Sequence, residues 1–454
     1  EQPKILDYFN HVADRYDVRP HFRFHSKVTS AVWDDAASRW DVATDDGVKI
    51  RCQYLVLATG VLSAFKMPEL PGLDTFEGES YHTARWPHDK AVEFAGKKVG
   101  VIGTGSSGVQ CIPMIAKEAA DLWVFQRTPN FVFPAHNREF TQEEIDVVKR
   151  NYTEYRAAAR DSKIGISWPE AEFGAFEVSD EERVATYERL WGVGNIMALL
   201  TVYDDILTDK EANDTLVEFI HGKIKAIVKD PELAELLCPK NHPVGIKRPV
   251  LDTGYFECFN QDNVHLVDLR SAPLVEITPK GVKTTDHEYE LDLLVLATGF
   301  DAVTGSFLRI DIRGKDGLTL REKWADGPRA LLGITSSGFP NMFTITGPQS
   351  PNVLAHMVSA NEQHIEWVRD LIAFMRDEGY EAIDADPLEE QKWFEHAEEI
   401  ANATLYPTAD TWFMGANVPG KPRVLLPYLG GFDVYRTFLD STAAKGYDRF
   451  ALRR

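Results

Sequence analysis

Two stretches of the chain, residues 21–60 and 265–299, share one pattern of apolar and polar positions. Each begins with a short apolar strand, continues through alternating segments joined by turn residues, and ends in an apolar strand that runs into Ala-Thr-Gly. Residues 45–47, Asp-Asp-Gly, form a typical hairpin turn in the first stretch. Two copies are too few for a solenoid, so the pattern indicates duplication of one domain type.

Between these stretches lies a glycine-rich turn in the setting of a nucleotide-binding unit. Residues 99–102 read as an apolar strand, Gly103, Gly105 and Gly108 form G-x-G-x-x-G, and an amphipathic helix and a second strand follow. In that order the glycines permit a tight turn and let a pyrophosphate approach the helix N-terminus. We therefore predict an α/β fold with two Rossmann-like dinucleotide-binding domains.

The residues after the second strand indicate which dinucleotide binds. An NAD site places a carboxylate there for the ribose hydroxyls, whereas this chain has Gln126, Arg127 and Thr128. An arginine suits a 2′-phosphate, so Arg127 favours NADP over NAD. A surface arginine that binds no ligand is the alternative.

The pattern changes to helical periods between residues 138 and 236. Capping boxes of the form S/T-x-x-E begin at Thr141, Ser179 and Thr208, each ahead of an amphipathic run. In the first run, the apolar residues between 145 and 155 are expected to share one buried face. These features predict a helical insertion within the NADP domain, and another amphipathic helix opens the chain at residues 1–16.

Composition excludes some classes of partner. The 454 residues carry a formal net charge of -21, which argues against nucleic acid or an acidic membrane as a partner. No apolar stretch approaches the length of a membrane span, and the N-terminus lacks a signal-peptide pattern. The 4 cysteines are scattered without a C-x-x-C, which is typical of reduced thiols and offers no metal site. We expect a cytoplasmic protein, and a monomer.

Lys247 and Arg248 stand side by side in a loop, just before a proline and an Asp-Thr-Gly turn. Adjacent loop cations are usually a solvated surface pair. Beside a dinucleotide fold in so acidic a chain, they are equally suited to hold a phosphate or an oxyanion.

Taken together, these motifs resemble those of the Baeyer–Villiger monooxygenases. The family fingerprint F-x-G-x-x-x-H-x-x-x-W-P is met by Phe76, Gly78, His82, Trp86 and Pro87. The resemblance extends over essentially the whole chain through the segments ATGVLS, VIGTGSSGVQ, VFQRTPN, GIKRPVLDTGY, LLVLATGFDA, GFPNMFTITGPQSPNVLAHM and WFMGANVPGKPR.

The resemblance implies FAD and NADPH as cofactors, and the conversion of a ketone and O2 into an ester or lactone through a peroxyflavin. It implies that the fingerprint, residues 76–87, links the FAD and NADP domains. The expected divisions are a first FAD part at 1–62, a first NADP part at 63–135, the helical insertion at 136–243, a second NADP part at 244–292 and a second FAD part at 293–454.

Site residues follow from the resemblance position by position. Arg248 matches the active-site arginine, and Trp412 matches a tryptophan near the nicotinamide ribose and the substrate. Val28 and Met357 match positions that touch FAD through the backbone. For Val28, Met357 and Trp412, a position in the hydrophobic core is nearly as good an interpretation. Arg127, Thr128 and Lys247 match the family residues that hold the 2′-phosphate of the coenzyme. The pyrophosphate loop is matched by Thr104, Gly105, Ser106, Ser107, Gly108, Val109 and Gln110.

Two family features are missing from the sequence. The first G-x-G-x-x-G, which receives the FAD pyrophosphate, would lie before residue 1, so we expect the chain to be a truncated or cleaved form. The acidic partner of the active-site arginine is missing as well. Two alternatives stay open: a flavin-dependent N- or S-oxygenating enzyme, and a non-catalytic NADP-binding module.

Overall fold

The computed structural model describes residues 2–454. The strands are β1 (Val28–Asp34), β2 (Arg39–Thr44), β3 (Lys49–Cys52), β4 (Leu55–Leu57), β5 (Glu79–His82), β6 (Lys98–Ile102), β7 (Asp121–Gln126), β8 (Val132–Pro134), β9 (Val250–Asp252), β10 (Val264–Asp268), β11 (Leu274–Thr278), β12 (Gly281–Thr284), β13 (Glu288–Glu290), β14 (Leu293–Leu296), β15 (Asp311–Arg313), β16 (Met342–Thr344), β17 (Ala382–Ala385) and β18 (Phe450–Arg453). The helices are α1 (Gln2–Arg15), α2 (Ser106–Ala116), α3 (Gln142–Arg150), α4 (Tyr152–Arg160), α5 (Asp180–Val193), α6 (Ile196–Leu200), α7 (Lys210–Ile227), α8 (Pro231–Leu237), α9 (Tyr255–Cys258), α10 (Gly305–Leu308), α11 (Leu320–Lys323), α12 (Met357–Glu378), α13 (Pro387–Asn402) and α14 (Phe432–Ala444).

A five-stranded parallel sheet, in the order β10-β7-β6-β14-β5, forms the nucleotide-binding domain. Alternate residues of its strands face two separate cores: Val99 and Val101 pack with α2 and the helical segment, whereas Ile102 packs with β11 and β12. Burial on both faces explains why these strands are continuously apolar. The predicted α/β fold is confirmed.

One expected boundary is wrong. Residues 293–454 were expected to return to the FAD domain, but β14 lies between β6 and β5 in the NADP sheet. All four residues of Leu293–Leu296 are buried there. The boundary expected at residue 292 therefore separates β14 from its own sheet. The prediction failed because an apolar strand buried on both faces has the same sequence pattern in either domain.

The two similar stretches fold alike over most of their length. The strands β1, β2 and β3 form one antiparallel meander and β11, β12 and β13 another, each followed by a parallel strand, β4 or β14. The predicted hairpin turn holds Gly47 at φ +83°. The expected first strand of the earlier copy does not form: residues 22–24 lie outside any strand, and Phe22 and Phe24 are exposed.

The helical insertion comprises α3 to α8, and two of its capping predictions are confirmed. Thr141 and Glu144 form a complete capping box, and the Ser179 hydroxyl accepts from the Glu182 amide. The third helix begins one residue later than expected, because Asp209 and not Thr208 caps it.

The predicted buried face at residues 145–155 is wrong. Neither α3 nor α4 contains a buried residue, and Val148, Tyr152 and Tyr155 are exposed. The opening helix α1 forms as predicted, but it too buries none of its residues. Periodicity predicts that a helix has an apolar face, but not that another element covers it.

Candidate functional site

The glycine-rich turn lies between β6 and α2, and its three glycines serve different purposes. A Cβ on Gly103, which has φ +108°, would lie 2.5 Å from the Ala297 carbonyl oxygen, and one on Gly108 would lie 2.1 Å from the Gly103 oxygen. Gly105 has an ordinary φ of -80°, and a Cβ there would meet nothing within 4 Å. Neither backbone strain nor packing thus explains Gly105, and close approach of a ligand to the helix N-terminus does.

The carboxyl end of β7 adjoins this turn. The Thr104 hydroxyl donates to the Thr128 carbonyl oxygen at 3.0 Å, which ties the turn to the segment carrying Arg127. Arg127 is exposed to solvent, and Thr128 is partly buried. The pyrophosphate-loop residues and the expected 2′-phosphate residues therefore share one edge of the sheet.

Lys247 lies at this edge as well. Burial lowers its pKa, and the nearby positive charges of Arg127 and Arg270 lower it further, against a smaller opposing effect of Asp410. Buried His242 is neutral: burial, Lys247 and Arg270 lower its pKa to about 3. Cations at such short range repel one another, which favours an anion between them.

Arg270 was missed by sequence reasoning. It follows β10, and its Nη2 lies 3.5 Å from the Thr128 hydroxyl, although the two residues are 142 positions apart. No local motif marks it, and the pairing of β10 with β7 brings it to the site.

Arg248 points away from this edge, towards the C-terminal part of the chain. The Nη1 atom of Arg248 donates to the Val353 carbonyl oxygen at 2.5 Å. The side-chain amide of Asn130 donates to the backbone carbonyl oxygen of Arg248 at 2.9 Å. The residue as a whole is exposed to solvent, yet protein packed around its guanidinium lowers its pKa, with a smaller opposing contribution from Tyr406. A guanidinium keeps its charge in such surroundings.

The surroundings of Arg248 are an apolar cluster built from both parts of the chain. Ile246, two residues before it, is buried against Val353 and Tyr406, with Met357 and Trp412 packed on the cluster. Trp412 lies 4.1 Å from Phe413, centroid to centroid. Trp412 and Met357 thus pack on the cluster that contains Val353, the residue whose carbonyl oxygen Arg248 contacts.

Val28 is placed elsewhere. It lies at the start of β1 and packs on the cluster that contains Trp33 and Trp40, not on the cluster around Arg248. Core packing accounts for it among the described residues.

A buried polar loop after β16 was also missed by sequence reasoning. Thr346, Gln349 and Asn352 have positive φ values of 51°, 65° and 27°, and all three side chains are buried. Non-glycine residues rarely adopt such values, and they concentrate at ligand sites. The loop leads into α12 at Met357, beside the carboxyl ends of the parallel strands β4 and β16, where ligands of α/β sheets bind.

The fingerprint segment has a more regular backbone structure than its sequence pattern suggested. Its centre, Glu79–His82, is edge strand β5 of the NADP sheet. His82 accepts from the Ala84 amide through Nδ1 at 3.1 Å, and its Nε2 lies 3.2 Å from the Thr298 hydroxyl. Trp86 lines a cavity of about 340 Å³ with Thr83, Ser107, Gln110 and Cys111. His82 therefore holds strand ends together and has no contact that suggests proton transfer.

Among residues 2–454, the structure offers little support for a metal site or a reactive cysteine. No cluster of three or more histidine, cysteine or acidic side chains in this range is arranged to hold a metal. Burial raises the pKa of the Cys238 thiol to about 11 and those of Cys111 and Cys258 to about 12, so these are poor nucleophiles. Within the same range, every helix is too short or too polar to cross a bilayer.

Comparisons with known proteins agree with this geometry. Residues 1–152 match the family described as flavin-binding monooxygenase-like. Cyclohexanone 1,2-monooxygenase of an Acinetobacter species is 39% identical, over 99% of this chain and 82% of its own. Phenazine N-monooxygenase of Lysobacter antibioticus is 39% identical, over 100% of this chain and 83% of its own. The solved structure of an oxidized steroid monooxygenase bound to NADP is 47% identical, covers 100% of this chain and 85% of that chain, and gives a TM-score of 0.95.

The likeness covers the nucleotide-binding sheet, the helical insertion and the C-terminal segment together, so it is not confined to one shared domain. The chain therefore belongs to the flavin-binding monooxygenase-like family, among the Baeyer–Villiger monooxygenases.

Proposed function

We propose that this protein is an NADPH- and FAD-dependent monooxygenase that uses O2 to convert a ketone into an ester or a lactone. The observation that carries the proposal is the position of Arg248, whose guanidinium donates to the carbonyl oxygen of Val353, a member of the apolar cluster on which Trp412 packs. Similarity to cyclohexanone 1,2-monooxygenase supports a ketone as the substrate.

NADPH binding is assigned to the edge formed by β6 and β7. The backbone of residues 104–110 receives the pyrophosphate, because Gly105 leaves its approach open. Arg127, Thr128 and Lys247 would hold the 2′-phosphate. Burial and then repulsion by Arg127 and Arg270 lower the pKa of Lys247, and a bound anion would relieve the repulsion.

FAD is assigned to the carboxyl ends of β4 and β16. The polar loop at residues 346–352, with its positive φ values, and the start of α12 at Met357 would hold FAD there. For Val28, which packs on the Trp33 and Trp40 cluster, only the family resemblance supports a backbone contact with FAD. Bound FAD supplies the activated oxygen for the reaction, with NADPH as the source of reducing electrons.

Arg248 is assigned the role of the fixed positive charge of the active site. Negative charge develops on the ketone oxygen as oxygen is added to the carbonyl carbon, and a preorganised guanidinium stabilises that charge. The apolar residues around it, with Trp412, keep water from the reacting atoms and orient the ketone.

The test uses the FAD-loaded protein with NADPH, cyclohexanone and isotopically labelled O2. We expect a lactone that contains one labelled oxygen atom, with one NADPH consumed for each lactone. Consumption of NADPH without any ester or lactone from a panel of cyclic, aromatic and steroid ketones would contradict the proposal.

Oxygenation at nitrogen is the second candidate, because phenazine N-monooxygenase matches this chain as well as cyclohexanone 1,2-monooxygenase does. Formation of an N-oxide from phenazine, at a higher kcat/KM than any ketone reaches, would favour it.

A further inference from the structure

Arg270 lies beside the proposed 2′-phosphate residues because of strand pairing. The strands β10 and β7 run parallel with Asp268 opposite Gln126, and the Leu269 amide donates to the Gln126 carbonyl oxygen at 2.8 Å. This bond continues the register beyond both strands. Leu269 therefore follows Asp268 beside Arg127, and Arg270 comes one residue later, beside Thr128, at the same edge of the sheet.

The loop holding Arg270 is preorganised. Its backbone amide donates to Asp268 Oδ1 at 3.1 Å, and its guanidinium reaches the Thr128 hydroxyl at 3.5 Å. In the described part of the chain, 30 salt bridges are formed, and none involves Arg127, Lys247 or Arg270. In a chain with a net charge of -21, three neighbouring cations without a carboxylate partner have no structural purpose of their own.

The electrostatics agree with the geometry. Burial is the largest cause of the lowered pKa values of Lys247 and His242; beyond it, Arg127 and Arg270 lower the pKa of Lys247, and Lys247 and Arg270 lower that of His242. The Nε2 atom of His242 is buried without a hydrogen-bond partner. A dianion placed among these groups would relieve all of this repulsion at once.

We propose that Arg270 is a third cationic ligand of the coenzyme 2′-phosphate and, with Arg127 and Lys247, determines the preference for NADPH over NADH. The inference rests on the proposed function. A phosphate monoester presents three terminal oxygens, and two guanidinium groups with one ammonium group supply one cationic donor group for each of them.

The test measures the binding of adenosine 2′,5′-bisphosphate and of 5′-AMP to the FAD-loaded protein by calorimetry. The two ligands differ only in the 2′-phosphate. Arg270→Ala is expected to weaken the bisphosphate about tenfold, which is the usual effect of one charge-assisted contact, and to change 5′-AMP less than about twofold. Arg270→Lys should restore most of the loss. Arg189→Ala, at an exposed arginine of the helical insertion, is the matched control and should change neither.

The variants Arg127→Ala and Lys247→Ala separate the two levels of inference. If both weaken the bisphosphate selectively and Arg270→Ala does not, Arg270 has no role and the proposed coenzyme site stands. If Arg270→Ala weakens both ligands equally, its role is structural and the inference is overturned. If none of the three variants discriminates between the ligands, the proposed coenzyme site itself is wrong.

Discussion

Lys247 and Arg248 are neighbours in sequence, yet their side chains serve different sites. Lys247 lies near Arg127 and Arg270 at the edge of the NADP sheet, whereas the Arg248 guanidinium contacts the Val353 carbonyl oxygen in the C-terminal part of the chain. The next residue is Pro249, which has no amide hydrogen and a fixed φ, so the backbone here is stiff. Two like charges on one loop thereby lie in different surroundings, as the proposed separate roles require.

Arg248→Ala should separate coenzyme binding from oxygen transfer. Because Lys247 remains, we expect NADP+ to bind nearly as in the wild type, while ester formation falls about 10²–10³-fold, the usual loss for a preorganised donor. Continued NADPH oxidation would end in hydrogen peroxide. Product analysis and peroxide assay measure both outcomes, with Arg248→Lys as the charge-preserving control. Ester formation by the alanine variant at the wild-type rate would contradict the assigned role.

At the scale of elements, two glycines at the start of α2, Gly105 and Gly108, have different surroundings. Gly108→Ala would press a methyl group onto the Gly103 carbonyl oxygen, at 2.1 Å, whereas Gly105→Ala would place one in open space. We expect Gly108→Ala to lower the free energy of unfolding by about 1–3 kcal/mol. We expect Gly105→Ala to change it by less than about 0.5 kcal/mol, yet to weaken NADP+ about tenfold or more by blocking the pyrophosphate. Denaturant unfolding and NADP+ titration measure these effects, and tight NADP+ binding by Gly105→Ala would contradict the loop assignment.

The helices α12 and α14 are joined by a buried histidine. The Thr346 amide donates to His364 Nδ1 at 3.0 Å, so the proton resides on Nε2 and is shared with the Tyr435 hydroxyl at 2.7 Å. Burial lowers the pKa of His364 to about 4. The imidazole of His364 therefore binds a proton more readily in the unfolded chain than in the folded one. The contribution of neutral His364 to stability is complete above pH 6.5 and declines as the pH falls towards 4.

His364→Gln should retain the hydrogen-bonding pattern without the titration. We expect the difference in unfolding free energy between wild type and variant to fall by about 2 kcal/mol from pH 7 to pH 5. Urea unfolding at the two pH values measures it. Other acid-sensitive groups affect both proteins equally, so a difference that does not change with pH would show that His364 titrates normally.

At the scale of the whole molecule, ion pairs join the helical insertion to the C-terminal domain. Arg156 pairs with Glu362 at 2.8 Å and Arg160 with Glu366 at 2.6 Å, linking α4 to α12. Since α4 buries no residue, these contacts do more than packing to hold it in place. Their side chains are about 40% exposed, so each pair contributes about 1 kcal/mol or less.

Replacing both glutamates, Glu362→Gln and Glu366→Gln, should release α4 without unfolding the protein. We expect faster amide hydrogen exchange across Tyr152–Arg160 and a change in global unfolding free energy below about 2 kcal/mol. Glu154→Gln on the same helix, which breaks no ion pair among the described residues, is the control. Unchanged exchange in α4 would mean that other contacts hold the helix.

The sequence by itself determined the features that depend on neighbouring residues. The G-x-G-x-x-G turn, Arg127 one strand later, the Thr141 and Ser179 caps and the hairpin at Gly47 all follow from local backbone geometry and short-range hydrogen bonds. The family resemblance likewise depends on motifs that are each contiguous, which is why it was visible without a structure.

Only the tertiary structure decided which distant residues meet. Strand order placed β14 in the NADP sheet and brought Arg270 to Thr128, and domain packing turned Arg248 towards Val353, 105 positions away. It also left the apolar faces of α1, α3 and α4 uncovered. A hydrophobic pattern specifies the face that an element can bury, but the partner is selected by the free energy of the whole assembled core, to which residues far apart in sequence contribute together.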